Sequence, residues 1–77
     1  MKFNNTVVLI NKRHIIDKIT AKLKSPPVSY RDYLDGIQVN WVVNGKSYMW
    51  RSNNNSDCVE VYTGNNYDMQ YLYIDEM

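Results

Sequence analysis

The spacing of apolar positions changes twice along this chain, and the changes divide it into elements. Thr6 to Ile10 is a short run rich in β-branched residues between Asn4-Asn5 and Asn11, which predicts a brief strand or extended arm. From Lys12 to Lys24 the period becomes helical. Ile15, Ile16, Ile19 and Leu23 fall at i, i+1, i+4 and i+8 and so share one stripe. Asn11 is placed to cap this helix, Arg13 and Asp17 are spaced to pair across a turn, and Pro26-Pro27 ends it after Lys24.

Two readings compete between Val28 and Leu34. Ser29 followed by Asp32 has the spacing of a capping box, and Gly36 suits a left-handed C′ position, which gives one helical turn. The alternative is a strand that turns at Asp35-Gly36 into Ile37. Arg31 and Asp32 break the alternation of a half-buried strand, so the helical turn is the expectation.

From Ile37 the period is two. Ile37, Val39, Trp41 and Val43 alternate with Gln38, Asn40 and Val42 up to Asn44-Gly45, a dipeptide suited to a type I′ turn. A two-residue loop there pairs Val43 with Lys46, Trp41 with Tyr48 and Val39 with Trp50. One face then stacks Ile37, Val39, Trp41, Val43, Tyr48 and Trp50 as core, and the other carries Gln38, Asn40, Val42, Ser47, Met49 and Arg51. A polar loop over Ser52 to Asp57, a strand at Cys58 to Tyr62, a turn through Gly64-Asn65-Asn66 and a strand at Met69 to Ile74 complete a meander. In it Val59, Val61, Leu72 and Ile74 face inward, while Cys58, Glu60, Tyr62, Tyr71 and Tyr73 face outward. The expected fold is one α+β domain, an amphipathic helix packed on an antiparallel sheet of three to five strands.

Composition adds constraints. With 77 residues, a chain buries only about 60 to 65% of its unfolded surface, so self-association or a partner would add useful stability. Cys58 is the only cysteine, which excludes an intrachain disulfide and favours a reducing compartment. Val7 to Ile10 is far too short an apolar run for a signal core or membrane span, so a cytoplasmic location is expected. Charge is lopsided within a net of +1. Residues 1 to 31 hold seven cations against Asp17, seven minus one or +6, and residues 32 to 77 hold two cations against seven acids, or −5. Such a dipole can steer a charged partner, draw two copies together, or close within one fold.

The residues that could carry chemistry are sparse. Cys58 and His14, with Asp57 or Glu60 nearby, would make a nucleophile and base, but they lack the flanking pattern of known families. The acids Asp32/Asp35, Asp57/Glu60 and Asp75/Glu76 sit in turns or at a terminus, where solvated carboxylates are common. No catalytic, metal or cofactor site is assigned. Asp35 to Trp41, running on to Trp50-Arg51-Ser52-Asn53-Asn54-Asn55-Ser56, resembles the last domain of phosphohexomutases, where a loop after an Arg grips the substrate phosphate. The Pro, Thr, Glu and final Pro of that loop are absent, so the resemblance implies at most an anion contact at Arg51, Ser52 and Asn53.

Two binding readings remain. Lys12, Arg13, Lys18, Lys22 and Lys24 cluster on one helix, which is the alternative reading of a small nucleic-acid binder, although the pI of 7.8 is low for that work. The aromatic excess points elsewhere. Seven tyrosines and two tryptophans exceed what the hairpin core absorbs, and Tyr62, Tyr71 and Tyr73 with Met49 would form an outer patch of interface-type residues. The competing explanation is that the helix packs there, or that scattered tyrosines coat a small domain. The expectation is a non-enzymatic protein-binding module whose partner is a host or defence-system protein, with a homo-oligomer as a further partner class. By size and composition alone it resembles in type the inhibitors that phages and mobile elements encode, such as anti-CRISPR or other anti-defence proteins.

Overall fold

The computed structural model describes residues 10–33, 36–53, 57–63 and 69–77. At its centre Asn44 and Gly45 take φ of 52° and 79°, the pair of positive angles that a type I′ turn needs and that Asn and Gly tolerate best. This turn joins β2 (Gly36–Val43) to β3 (Lys46–Arg51). It sets the register expected from the sequence: Val43 opposite Lys46, Trp41 opposite Tyr48, Val39 opposite Trp50.

A helix, α1 (Arg13–Leu23), precedes β1 (Ser29–Tyr33), and β4 (Cys58–Tyr62), β5 (Met69–Tyr73) and a 3-10 turn over Ile74–Glu76 follow β3. The five strands lie in chain order, β1-β2-β3-β4-β5, and every neighbouring pair is antiparallel. The α+β class is as the sequence patterning predicts, at the upper end of its strand range.

The core lies between α1 and one face of this sheet. Ile16 and Ile19 are buried from the helix, and Ile37, Val39, Trp41, Trp50, Val59, Val61 and Ile74 from below it. Ile15, Leu23, Tyr30, Tyr48, Leu72 and Met77 pack around the margin, and Val43 at the hairpin end is only half-buried. Removing an Ile side chain from water contributes about 1.5–3 kcal/mol. The helix is also positioned by a polar contact: the Trp41 indole Nε1 donates to Thr20 Oγ1 at 3.1 Å. A second clamp closes the far end of the hairpin, where Ile37 N–H donates to Ser52 Oγ (2.9 Å) and Ser52 N–H to Ile37 O (3.0 Å). Gly36 sits against that clamp, since a Cβ there would lie 2.6 Å from Ser52 Oγ.

Several local expectations need correction. Asn11 does not cap α1. The N-cap is Lys12, without a side-chain cap bond, and Ile10 and Asn11 are themselves helical, so Ile10 does not end a strand. The rest of the strand expected at Thr6–Ile10 lies outside the described residues. The helix ends one residue early, with Lys24 in the left-handed region (φ 56°) and its N–H on Thr20 O.

Ser29–Tyr33 is a strand and not a helical turn, because pairing with β2 satisfies its backbone. Tyr30 faces the core opposite Val39, while Arg31 faces out opposite Gln38. Tyr33 pairs with Gly36, so Gly36 belongs to β2; residue 35 of the Asp35-Gly36 turn in the alternative reading lies outside the described residues. Ile74 is buried as expected but opens the 3-10 turn instead of extending β5. The turn at Gly64-Asn65-Asn66 and the middle of the Ser52–Asp57 loop lie outside the described residues.

Two substitutions contrast the faces. Ile19→Ala removes fully buried volume and is expected to cost about 2–5 kcal/mol in urea unfolding, whereas Val42→Ala on the exposed face should stay within about 0.5 kcal/mol. Equal losses would contradict this placement of the core.

Candidate interaction face

Because α1 covers one side of the sheet, the alternate side chains of every strand emerge on the other. The registers arrange this outer face in rows: Val42, Ser47, Tyr62 and Met69 in one, then Asn40, Met49, Glu60 and Tyr71, with Cys58 opposite Tyr73 beyond. Tyr33 (44% exposed), Val42 (48%), Met69 (36%), Tyr71 (52%) and Tyr73 (56%) all stand there. Among the described residues, the other large exposed apolar side chains are Ile10 and Val28. Five of the seven large exposed apolar side chains among the described residues thus share one side of the sheet.

A polar network fixes the middle of this face. Glu60, whose side chain is mostly buried, accepts from the Tyr62 hydroxyl at 2.9 Å and pairs with Arg51 Nε at 3.5 Å. The Arg51 guanidinium also lies 3.4 Å from Met49 Sδ. The hydrogen bond to Glu60, then burial, then the carboxylate's charge hold the Tyr62 phenol above its usual pKa of 10.0, because each favours the neutral, donating form. On the β1 side the Tyr33 hydroxyl donates to Gln38 Oε1 (3.3 Å) and Gln38 Nε2 to Asn40 Oδ1 (2.9 Å), so Gln38 is buried although it points outward.

All four residues of the patch expected from the sequence share this face. Tyr71 and Tyr73 are exposed, while Tyr62 and Met49 are half-buried around the Glu60 network. Sequence reasoning missed Tyr33, Val42 and Met69. Met69 has the parity of Tyr71 and could have been found by counting, and Val42 already stood on the solvent side of the alternation; Tyr33 was hidden by the helical reading of its strand.

The basic residues of α1 lie elsewhere. Arg13, Lys18, Lys22 and Lys24 are exposed and Lys12 half-buried. Arg13 Nε pairs with Asp17 (3.2 Å), Lys18 with Asp75, and Lys22 Nζ donates to Met77 O (3.3 Å). The Lys18 hydrogen bond and charge hold the Asp75 carboxyl below its usual value. Cys58 projects to the outer face, whereas His14 stands on the helix of the opposite face, so the sheet separates this pair. Of the three residues that the phosphohexomutase resemblance implied, Ser52 accepts from Ile37 N–H and Arg51 pairs with Glu60, while Asn53 is exposed. Among the described residues no group of three or more His, Cys, Asp or Glu is placed to hold a metal, and no helix is long and apolar enough to cross a membrane. No family model, curated protein or solved structure matches the chain.

Two titrations probe these contacts. The raised Tyr62 value adds stability below pH 10.0 that is lost as pH rises through the folded value. Glu60→Ala should bring the ultraviolet ionisation of Tyr62 down toward its ordinary range; an unchanged titration would remove Glu60 as the cause. The lowered Asp75 value works in reverse, adding stability above pH 3.8 that is lost as pH falls through the folded value. Lys18→Met should return the NMR carboxyl titration of Asp75 toward the usual position.

Proposed function

We propose that this protein is a non-enzymatic binding module that captures another protein on the outer face of its sheet. The observation that supports this reading is the gathering of Tyr33, Val42, Met69, Tyr71 and Tyr73 on the side that α1 does not cover. Tyrosine supplies large, rigid contact area with a polar tip, at little cost in side-chain entropy. The Arg51–Glu60–Tyr62 network lies at the same face already paired, so a partner does not meet an isolated buried charge there. The partner class we propose is a host or defence-system protein. Inhibition by covering that protein's working surface rests on the analogy of size and composition with phage- and mobile-element-encoded inhibitors.

Affinity capture from the native host followed by mass spectrometry tests the reading. Tyr71→Ala and Tyr73→Ala should keep the far-ultraviolet circular dichroism of the parent, and each should weaken capture by at least about 30-fold, the scale of a hot-spot residue at about 2 kcal/mol. Unchanged capture by both variants sinks it. A salt-sensitive mobility shift with nucleic acid, lost in Lys18→Glu plus Lys22→Glu, would instead favour the basic helix as the working surface.

A further inference from the structure

The sheet has two edges, and they are built differently. β1 carries Arg31 and Asp32 in mid-strand, the charged type of residue that discourages edge-to-edge pairing. β5 reads Met69-Gln70-Tyr71-Leu72-Tyr73, without charge, proline or bulge, and pairs residue for residue with β4. Among the described residues no further strand pairs with it, which leaves an open edge of the kind that proteins usually blunt.

The direction of its free backbone groups follows from one bond. Ile74 N–H donates to Asp57 O at 2.9 Å, which continues the β4–β5 register and sets its phase. Hydrogen-bonded pairs alternate with non-bonded ones in an antiparallel ladder, so Leu72 with Val59 and Gln70 with Val61 are the bonded pairs. Met69, Tyr71 and Tyr73 therefore turn their N–H and C=O groups away from β4, toward the free edge.

We infer that β5 is the pairing edge for a second copy of this chain, joined antiparallel about a two-fold axis at Tyr71. The strand is its own complement in that register. Tyr71 meets Tyr71 of the copy and Met69 meets Tyr73 on the outer face, and each of these residues exchanges its outward amide and carbonyl with its opposite number. Gln70 meets Leu72 on the inner face. The seam carries no like charges, and it matches a methionine with an aromatic ring, a favourable contact. A foreign strand would gain the same backbone bonds but not this side-chain match. The pairing makes one continuous sheet, with the tyrosine face running across the seam and both helices on the other side.

Light scattering on a sizing column, from low micromolar to millimolar concentration, tests this with the full chain. The expected result is a rise from 9.1 kDa to twice that mass. Hydrogen exchange at the amides of Met69, Tyr71 and Tyr73 should slow with concentration, while Gln70 and Leu72 stay protected throughout. Tyr71→Lys and Tyr71→Glu, at an exposed position, should each return the chain to the monomer mass by placing like charges across the axis, and mixing the two should restore the double mass. A monomer at every concentration, or a dimer that neither variant disturbs, overturns the inference. Met49→Ala and Tyr62→Ala lie off the seam, so loss of partner capture in them reports on the binding face alone, and a normal dimer mass in them reports on the edge alone.

Discussion

Among the described residues one short helix has to seal a five-stranded sheet, and the rest of the structure follows from that limit. Eleven residues of α1 span about 16 Å, and five strands at about 4.8 Å spacing cover about 19 Å. The helix is therefore just large enough for one face. Everything bulky that must be dry is placed there: Trp41 and Trp50 from the central hairpin, Val59 and Val61 from β4, and Ile16 and Ile19 from above. The Trp41 to Thr20 hydrogen bond removes the cost of burying the indole N–H and fixes where the helix lies across the strands. No second layer is left among the described residues for the other face, and its composition of tyrosine, methionine and paired polar groups is what a sheet surface can carry while still wet.

Charge is arranged around the same division. The sequence separates into a basic first half and an acidic second half, and the fold brings them back together where α1 passes the Ile74–Glu76 turn, through Lys18 to Asp75 and Lys22 to Met77 O. Exposed ion pairs add little stability singly; their effect here is to close much of the dipole inside one molecule. The outer face sets Arg51 against Glu60 and carries Arg31 as a further cation at its β1 edge. The helix and the tyrosine face thus differ in kind: one is a solvated basic surface with intramolecular partners, the other a mostly uncharged aromatic one.

What could be read from the sequence was what local chemistry decides. Asn44-Gly45 has a strong turn preference, and the turn fixes every pairing of β2 with β3, so the inward set of Ile37, Val39, Trp41 and Trp50 followed without tertiary information. The stripe of Ile15, Ile16, Ile19 and Leu23 was equally self-contained. Failures came where a distant partner decides. Ser29–Tyr33 has a helix-like opening, but its backbone is claimed by β2, and as an edge strand it half-buries only Tyr30 and Asp32, which blurs its alternation. Asn11 is a good capping type placed inside a helical turn, so its preference went unused. Tyr33 was lost with its strand. The patch at Tyr62, Tyr71, Tyr73 and Met49 was legible as a shared face.

The unbroken strand order has a consequence for how the sheet comes into being. Each strand bonds only to its neighbours in the chain, so every ladder closes a short loop and none waits for the whole polypeptide to collapse. Low contact order of this kind favours fast folding. The β2–β3 hairpin holds the preset turn and both tryptophans, and every other strand pairs next to a chain neighbour. β5 is the last of these five strands in chain order. Until it docks, the open edge of the growing sheet is β4, whose Cys58, Glu60 and Tyr62 side chains put a charge in mid-strand while the edge waits for its cover.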